Sequence, residues 1–135
     1  MGWTGPRTWG AGETHLATVF NTHVRDNFVH LKANISLGAA IELTIETGAV
    51  TKTQSHHTFD TEGDAATDDL DTINGGSEGE EIVGRAAHTD RTVVAKHGTG
   101  NLELAGGADF SMDTTEKALK LFYNGSKWLE LGRTG

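Results

Sequence analysis

The chain has 135 residues, of which 36% are hydrophobic, 18 are glycine and one is proline, and it carries a formal net charge of −8. An acidic balance repels phosphate backbones and argues against nucleic acid as a partner, and the absence of cysteine removes any disulfide framework or thiolate metal site. No apolar run has the length of a bilayer span, so no membrane partner is expected, and Met1-Gly2-Trp3-Thr4-Gly5-Pro6 lacks the regions of a signal peptide, so secretion by that route is not expected either.

Residues 2–12 hold Gly2, Gly5, Pro6, Gly10 and Gly12 with two tryptophans, which reads as an extended arm over residues 1–13. Trp3 and Trp9 on such an arm need a surface, either their own domain or a neighbouring subunit. An amphipathic helix is predicted from Thr14, a plausible N-cap, to Lys32, within an anchoring segment 14–35. Leu16, Phe20, Val24, Phe28 and Leu31 recur at helical spacing and form one narrow stripe, the pattern of a seam that pairs with copies of itself or lies on a β surface.

From Ile41 the period changes to two, and residues 36–135 read as a glycine-rich β domain. Strands are predicted at 41–45, 49–53, 56–61, 70–73, 80–83, 92–97 and 102–104, with an acidic loop at 62–69. Leu119, Leu121 and Tyr123 lead through Asn124-Gly125 to Trp128, Leu129 and Leu131. That is a hairpin signal, since both turn residues tolerate the positive φ of a type I′ turn, and Leu119, Leu121, Tyr123, Trp128 and Leu131 are the candidate β core. Strands at eight- to twelve-residue spacing predict a mainly β fold, a short-stranded antiparallel sandwich, barrel or prism. So low a hydrophobic fraction cannot bury all these faces in one chain, which points to burial against other copies.

Catalytic templates fail. There is no Gly-x-Ser-x-Gly elbow and no P-loop. Gly98-Thr99-Gly100 begins like a dinucleotide fingerprint, but Glu103 holds the place of the third glycine, so it reads as a strand turn. Asp60, Glu62, Asp64, Asp68, Asp69 and Asp71 do not have EF-hand spacing and read as a solvated acidic loop. His23 and His30 share a helix face, whereas His56 and His57 point to opposite faces of a strand. One chain therefore offers no three-histidine metal site, and only a symmetry axis would assemble one. The expectation is a protein without cofactor, metal or catalytic residue. Paired carboxylates acting on surface glycans are the remote alternative.

Two segments carry a family resemblance. Trp9-Gly10-Ala11-Gly12-Glu13, then Phe20-Asn21-Thr22-His23-Val24-Arg25-Asp26-Asn27-Phe28 and Leu31-Lys32, resembles a leader found in tailed-bacteriophage virion proteins. Lys96-His97-Gly98-Thr99-Gly100-Asn101-Leu102, Gly106-Gly107-Ala108-Asp109-Phe110, and Leu119 to Trp128 with Glu130 resemble a β module of phage fibre ends and related surface proteins. The resemblance implies a virion structural protein, a homotrimer whose partners are its own copies and the major capsid or tail protein, located on the virion surface after assembly in the host cytoplasm. A tail fibre carries a long shaft between anchor and tip. Here the helix runs almost directly into the β domain, which favours a capsid decoration (cement) protein over a tail-tip adhesin that binds a host-surface receptor.

Overall fold

In the computed structural model the described residues are 36–135. The arm expected over 1–13 and the helix over 14–35, with Trp3, Trp9, Leu16, Phe20, Val24, Phe28 and Leu31, lie outside them.

The chain winds rather than folding back. β1 (Ile41–Thr44), β3 (His56–Asp60) and β6 (Glu81–Ala86) lie side by side in parallel. β2 (Ala49–Thr51) and β5 (Thr72–Asn74) form a second parallel pair, and β4 (Thr67–Leu70) and β7 (Thr92–Ala95) a third. Successive turns of chain thus revisit the same sheets, a solenoid-like arrangement in which each coil rests on its neighbour. The winding ends where the strands reverse. β9 (Phe110–Met112) runs antiparallel to β7. The hairpin of β10 (Ala118–Tyr123) and β11 (Trp128–Arg133) inserts between β6 and the two-residue β8 (Leu102–Glu103), giving the order β1-β3-β6-β10-β11-β8.

The mainly β expectation therefore holds, but the antiparallel one applies only to the terminal coil. Among the described residues five of the eight strand pairings are parallel. Corners, not hairpins, join most strands. The run expected as one strand at 70–73 is bent at Asp71 into β4 and β5, which belong to different sheets. Asp71 N–H and Thr72 N–H both donate to Gly48 C=O (2.8 and 3.1 Å), anchoring that corner on the coil before it. Most of β4 falls in the stretch expected as an acidic loop, and β9 lies where no strand is predicted.

One core runs through all coils, built from Ile45, Val50, Phe59, Leu70, Ile73, Ile82, Val93, Leu102, Met112, Leu119, Leu121 and Trp128 among others. Alternation along β6 and β10 supplies it, with Ile82, Gly84 and Ala86 or Leu119 and Leu121 facing inward. Gly84 is demanded by space: a Cβ there would stand 2.1 Å from the Phe59 ring, which lies over it. Leu119, Leu121 and Trp128 are buried and Tyr123 packs against the cluster. Leu131, expected beside them, is instead 55% exposed. Period two from Trp128 brings Glu130, not Leu131, to the inner face, and a bulge follows: Leu121 opposes Glu130 while Lys120 opposes Gly132, leaving Leu131 as the extra residue.

Turn chemistry also differs from expectation. Asn124 does not adopt positive φ; only Gly125 does (92°). The Asn124 carboxamide oxygen instead accepts from Ser126 N–H and Lys127 N–H (3.0 and 2.8 Å), an Asx-type closure. Positive φ at both central residues occurs at Thr47 (52°) and Gly48 (76°), between β1 and β2. Thr47 is β-branched and strained there, and its N–H is held by the Glu62 carboxylate at 3.0 Å.

Candidate functional site

Among the described residues, a group of chemistry-bearing side chains gathers where the first three coils meet. Glu42 projects from β1, Asp60 ends β3, and His88 and Arg91 come from the segment between β6 and β7. His88 Nε2 lies 3.7 Å from Asp60 Oδ2 and 4.0 Å from Glu42 Oε2, so the three could in principle face one ion. The cation already present is a side chain. Arg91 Nη1 donates to both Asp60 oxygens (2.9 and 2.8 Å) and reaches Asp64 at 2.8 Å, and Asp60 Oδ1 also accepts from Thr61 N–H. A metal would have to displace a guanidinium from a buried carboxylate. The arrangement works as a charged clasp tying β1, β3 and the β6–β7 segment together.

Burial alone would raise the Asp60 pKa, but the Arg91 hydrogen bond, the Thr61 N–H and the nearby positive charge hold it below the ordinary carboxylate value. Stability from this pair is therefore fully present above the unfolded-state pKa of about 3.9 and is lost as pH falls through the lower folded value. Arg91→Met strands a buried carboxylate and is expected to destabilise the fold by about 2 kcal/mol at neutral pH. The gap to the parent narrows as pH falls through the lowered Asp60 pKa, where the carboxylate becomes neutral. Thermal melts of both proteins between acid and neutral pH check this. A gap that stays constant across that range would contradict it.

Most of the remaining residues of the acidic stretch make links rather than a shared ligand cage. The Asp68 carboxylate accepts from Glu62 N–H (2.7 Å) and Asp69 N–H (2.8 Å), Glu62 accepts from Thr47, and Asp69 lies 3.9 Å from Lys96. His57, fully buried, donates from Nδ1 to Ile41 C=O (2.8 Å) while Nε2 accepts from Thr53 and Gln54 N–H (3.2 Å each). Two donors aimed at Nε2 place the ring hydrogen on Nδ1. His56 contacts Gly38 C=O with its own Nδ1. Each of these two histidines thus turns a ring nitrogen to the backbone.

A second closed pair sits under the terminal coil. The Glu130 side chain is 3% exposed; it accepts from Ala105 N–H (2.7 Å) and pairs with Arg133, whose guanidinium carbon lies 4.5 Å from the Phe110 ring centroid. The Arg133 hydrogen bond first, and the Ala105 N–H with it, lower the Glu130 pKa against the opposing effect of burial. Two open depressions lie elsewhere on the described surface. One, about 340 Å³, is lined by Thr44, Glu46, Ala49, Val50, Thr51 and Asn74. The other, about 240 Å³, lies over β6, β10 and β11. Neither joins the charged clasp. Sequence reasoning does not single out Arg91 or His88, and it names Glu130 only within the resemblance, although its even spacing from Trp128 is a readable signal for an inward position. No family model, curated protein or solved structure matches this chain.

Proposed function

We propose that the chain is a non-catalytic, homotrimeric structural protein of a tailed-bacteriophage virion that decorates the capsid and stabilises the head by bridging capsid subunits. The observation that carries this reading is the closure of the solenoid within so few coils. Among the described residues the parallel winding is short and gives way to antiparallel β9 and the β10–β11 hairpin. A fibre shaft needs coils that continue; a shell ornament needs a rigid block at one place. The resemblance of residues 9–32 and 96–130 to phage virion proteins supports the same role. So does the closed state of its charges, since Asp60 and Glu130 each have their carboxylate engaged by arginine.

A protein that binds the assembled shell and not its separated parts stabilises the shell by mass action. Purified protein added to heads that lack it is expected to co-sediment to saturation and to raise the temperature at which heads open. Failure to bind heads, together with binding to host cells and inhibition of infection, would overturn the capsid reading and favour a tail-tip adhesin.

A further inference from the structure

Among the described residues two asparagines precede a glycine, Asn74 before Gly75 and Asn124 before Gly125, and all four residues are exposed. An asparagine so placed carries an electrophile beside a nucleophile. Its side-chain carbonyl carbon, Cγ, and the next backbone nitrogen can close a five-membered ring, and glycine has no side chain to hold them apart. The fold treats the two pairs differently.

Asn74 ends β5 and is in register with Thr51 of β2. Its C=O accepts from Lys52 N–H at 3.0 Å, so the peptide between Asn74 and Gly75 is tied to the neighbouring coil. Gly76, one residue on, lies too close to the Trp128 indole for even a Cβ to fit between them. Closing Asn74 on the Gly75 nitrogen turns that peptide about the Asn74 Cα–C bond and breaks the tie.

Asn124 stands at the tip of the β10–β11 hairpin. Its N–H donates to Lys127 C=O at 3.0 Å, but among the described residues neither its C=O nor the Gly125 N–H has a hydrogen-bond partner. The peptide that must turn is free to do so. The electrophile is prepared as well. Asn124 Oδ1 accepts from Ser126 N–H (3.0 Å) and Lys127 N–H (2.8 Å). Both donors face the oxygen that becomes negative when a nucleophile adds to Cγ. Hydrogen bonds to a charged oxygen are stronger than those to a neutral amide, so the donors favour the addition intermediate over the starting carboxamide.

We propose that Asn124 is a site of self-modification, at which the folded chain closes the carboxamide on the Gly125 nitrogen, releases ammonia and, with water, leaves aspartate or isoaspartate at the hairpin tip. The Gly125 N–H gives its proton to solvent base, and the nitrogen bonds to Asn124 Cγ. The carbonyl π pair moves onto Oδ1 and returns as the Cγ–Nδ2 bond breaks. Nδ2 takes a proton from water and departs as ammonia, leaving a cyclic imide. Water then adds to one of the two imide carbonyls. Cleavage at Cγ gives aspartate at position 124, and cleavage at the backbone carbonyl routes the chain through the side chain as isoaspartate. One water enters and one ammonia leaves, with nothing oxidised or reduced. Aspartate keeps both N–H contacts. Isoaspartate adds a methylene to the main chain and pulls apart the Asn124–Lys127 closure. This chemistry is independent of the virion role.

Peptide mapping by mass spectrometry tests it, on the full chain kept folded in mildly alkaline buffer and on the same chain unfolded in urea, with isoaspartate identified by enzymatic methylation. In the folded chain Asn124 is expected to convert about tenfold faster than Asn74, the scale of one charge-assisted hydrogen bond acting on a barrier. Unfolding is expected to bring the two rates together, because both are then plain Asn-Gly pairs. Asn124→Asp is expected to keep the β spectrum and to remove most of the ammonia that the folded parent releases. Equal conversion of the two asparagines in the folded chain, or faster conversion of Asn74, would overturn the site. So would a preference for Asn124 that persists unchanged in urea, since it would then owe nothing to the fold.

Discussion

Trp128→Ala is expected to lower stability by about 3–5 kcal/mol, the range for emptying a fully buried aromatic site. Trp128 has no exposed surface and lies at the joint between the winding coils and the terminal hairpin. Its indole Nε1 donates to Ile73 C=O in β5 at 2.9 Å, its ring lies 4.9 Å from Tyr123, and its backbone N–H donates to Asn101 C=O at 2.8 Å. Gly76 completes the fit, since a Cβ there would stand 2.7 Å from the indole and 3.0 Å from Tyr123. Alanine removes the ring against which the Asn74–Gly76 turn packs. Trp128→Phe keeps most of the ring but loses the Nε1 bond; Ile73 C=O retains its bond from Asn101, so a smaller loss of about 1–2 kcal/mol is expected. Denaturant unfolding of the three proteins checks the order. An alanine variant within 1 kcal/mol of the parent, on the order of a single hydrogen bond, would show that the hairpin does not close the core.

Gly100→Ala is the second large effect, expected at about 3 kcal/mol, the upper end of overpacking costs. A Cβ on Gly100 would lie 2.2 Å from Asp71 C=O and 2.3 Å from Thr72 Oγ1. The first obstacle is backbone and cannot rotate away. The residue that follows is the reason the chain comes so close. Asn101 docks against the edge of β5 as a side-chain substitute for another strand: its carboxamide accepts from Ile73 N–H and donates to Ile73 C=O, both at 2.9 Å, while its N–H donates to Asp71 C=O. A methyl group at Gly100 pushes this pairing apart and leaves polar groups of β5 without partners. Thr99→Ala, at the exposed neighbour, is expected to change stability by less than about 0.5 kcal/mol. Comparable unfolding midpoints for Gly100→Ala and Thr99→Ala would contradict the docking role of Asn101.

Particular residues show how much of this was legible in the sequence. The alternations Leu43-Ile45 and Leu119-Leu121 identify strands and their inner faces, because period two is a direct consequence of the pleat, while Ile41 at the start of β1 stays exposed. What alternation does not carry is the direction of the next strand. Gly48 and Asp71 occupy corners that send the chain onward to another sheet, yet they resemble turn residues that send it back. β4 was hidden because Asp68 and Asp69 look like solvent-facing loop residues, although Asp68 accepts two backbone N–H groups beside an edge strand. The charged clasp was half legible. Asp60 stood out as an acid, but Arg91 lies 31 positions later in a segment without periodicity, and only the winding brings them together. Glu130 could have been read inward from its spacing to Trp128. The fold then accommodates it by supplying Arg133 and the Ala105 N–H.

The proposed function rests on resemblance and layout. A few parallel coils that end in an antiparallel hairpin, with Asp60 and Glu130 each held by an arginine, are the layout on which the proposed shell role draws. Electron microscopy of phage particles, with antibody-bound gold raised against this chain, tests the proposed role most directly. The expected result is label distributed over the capsid surface at sites of three-fold density. Label confined to the tail, with none on the head, would contradict it.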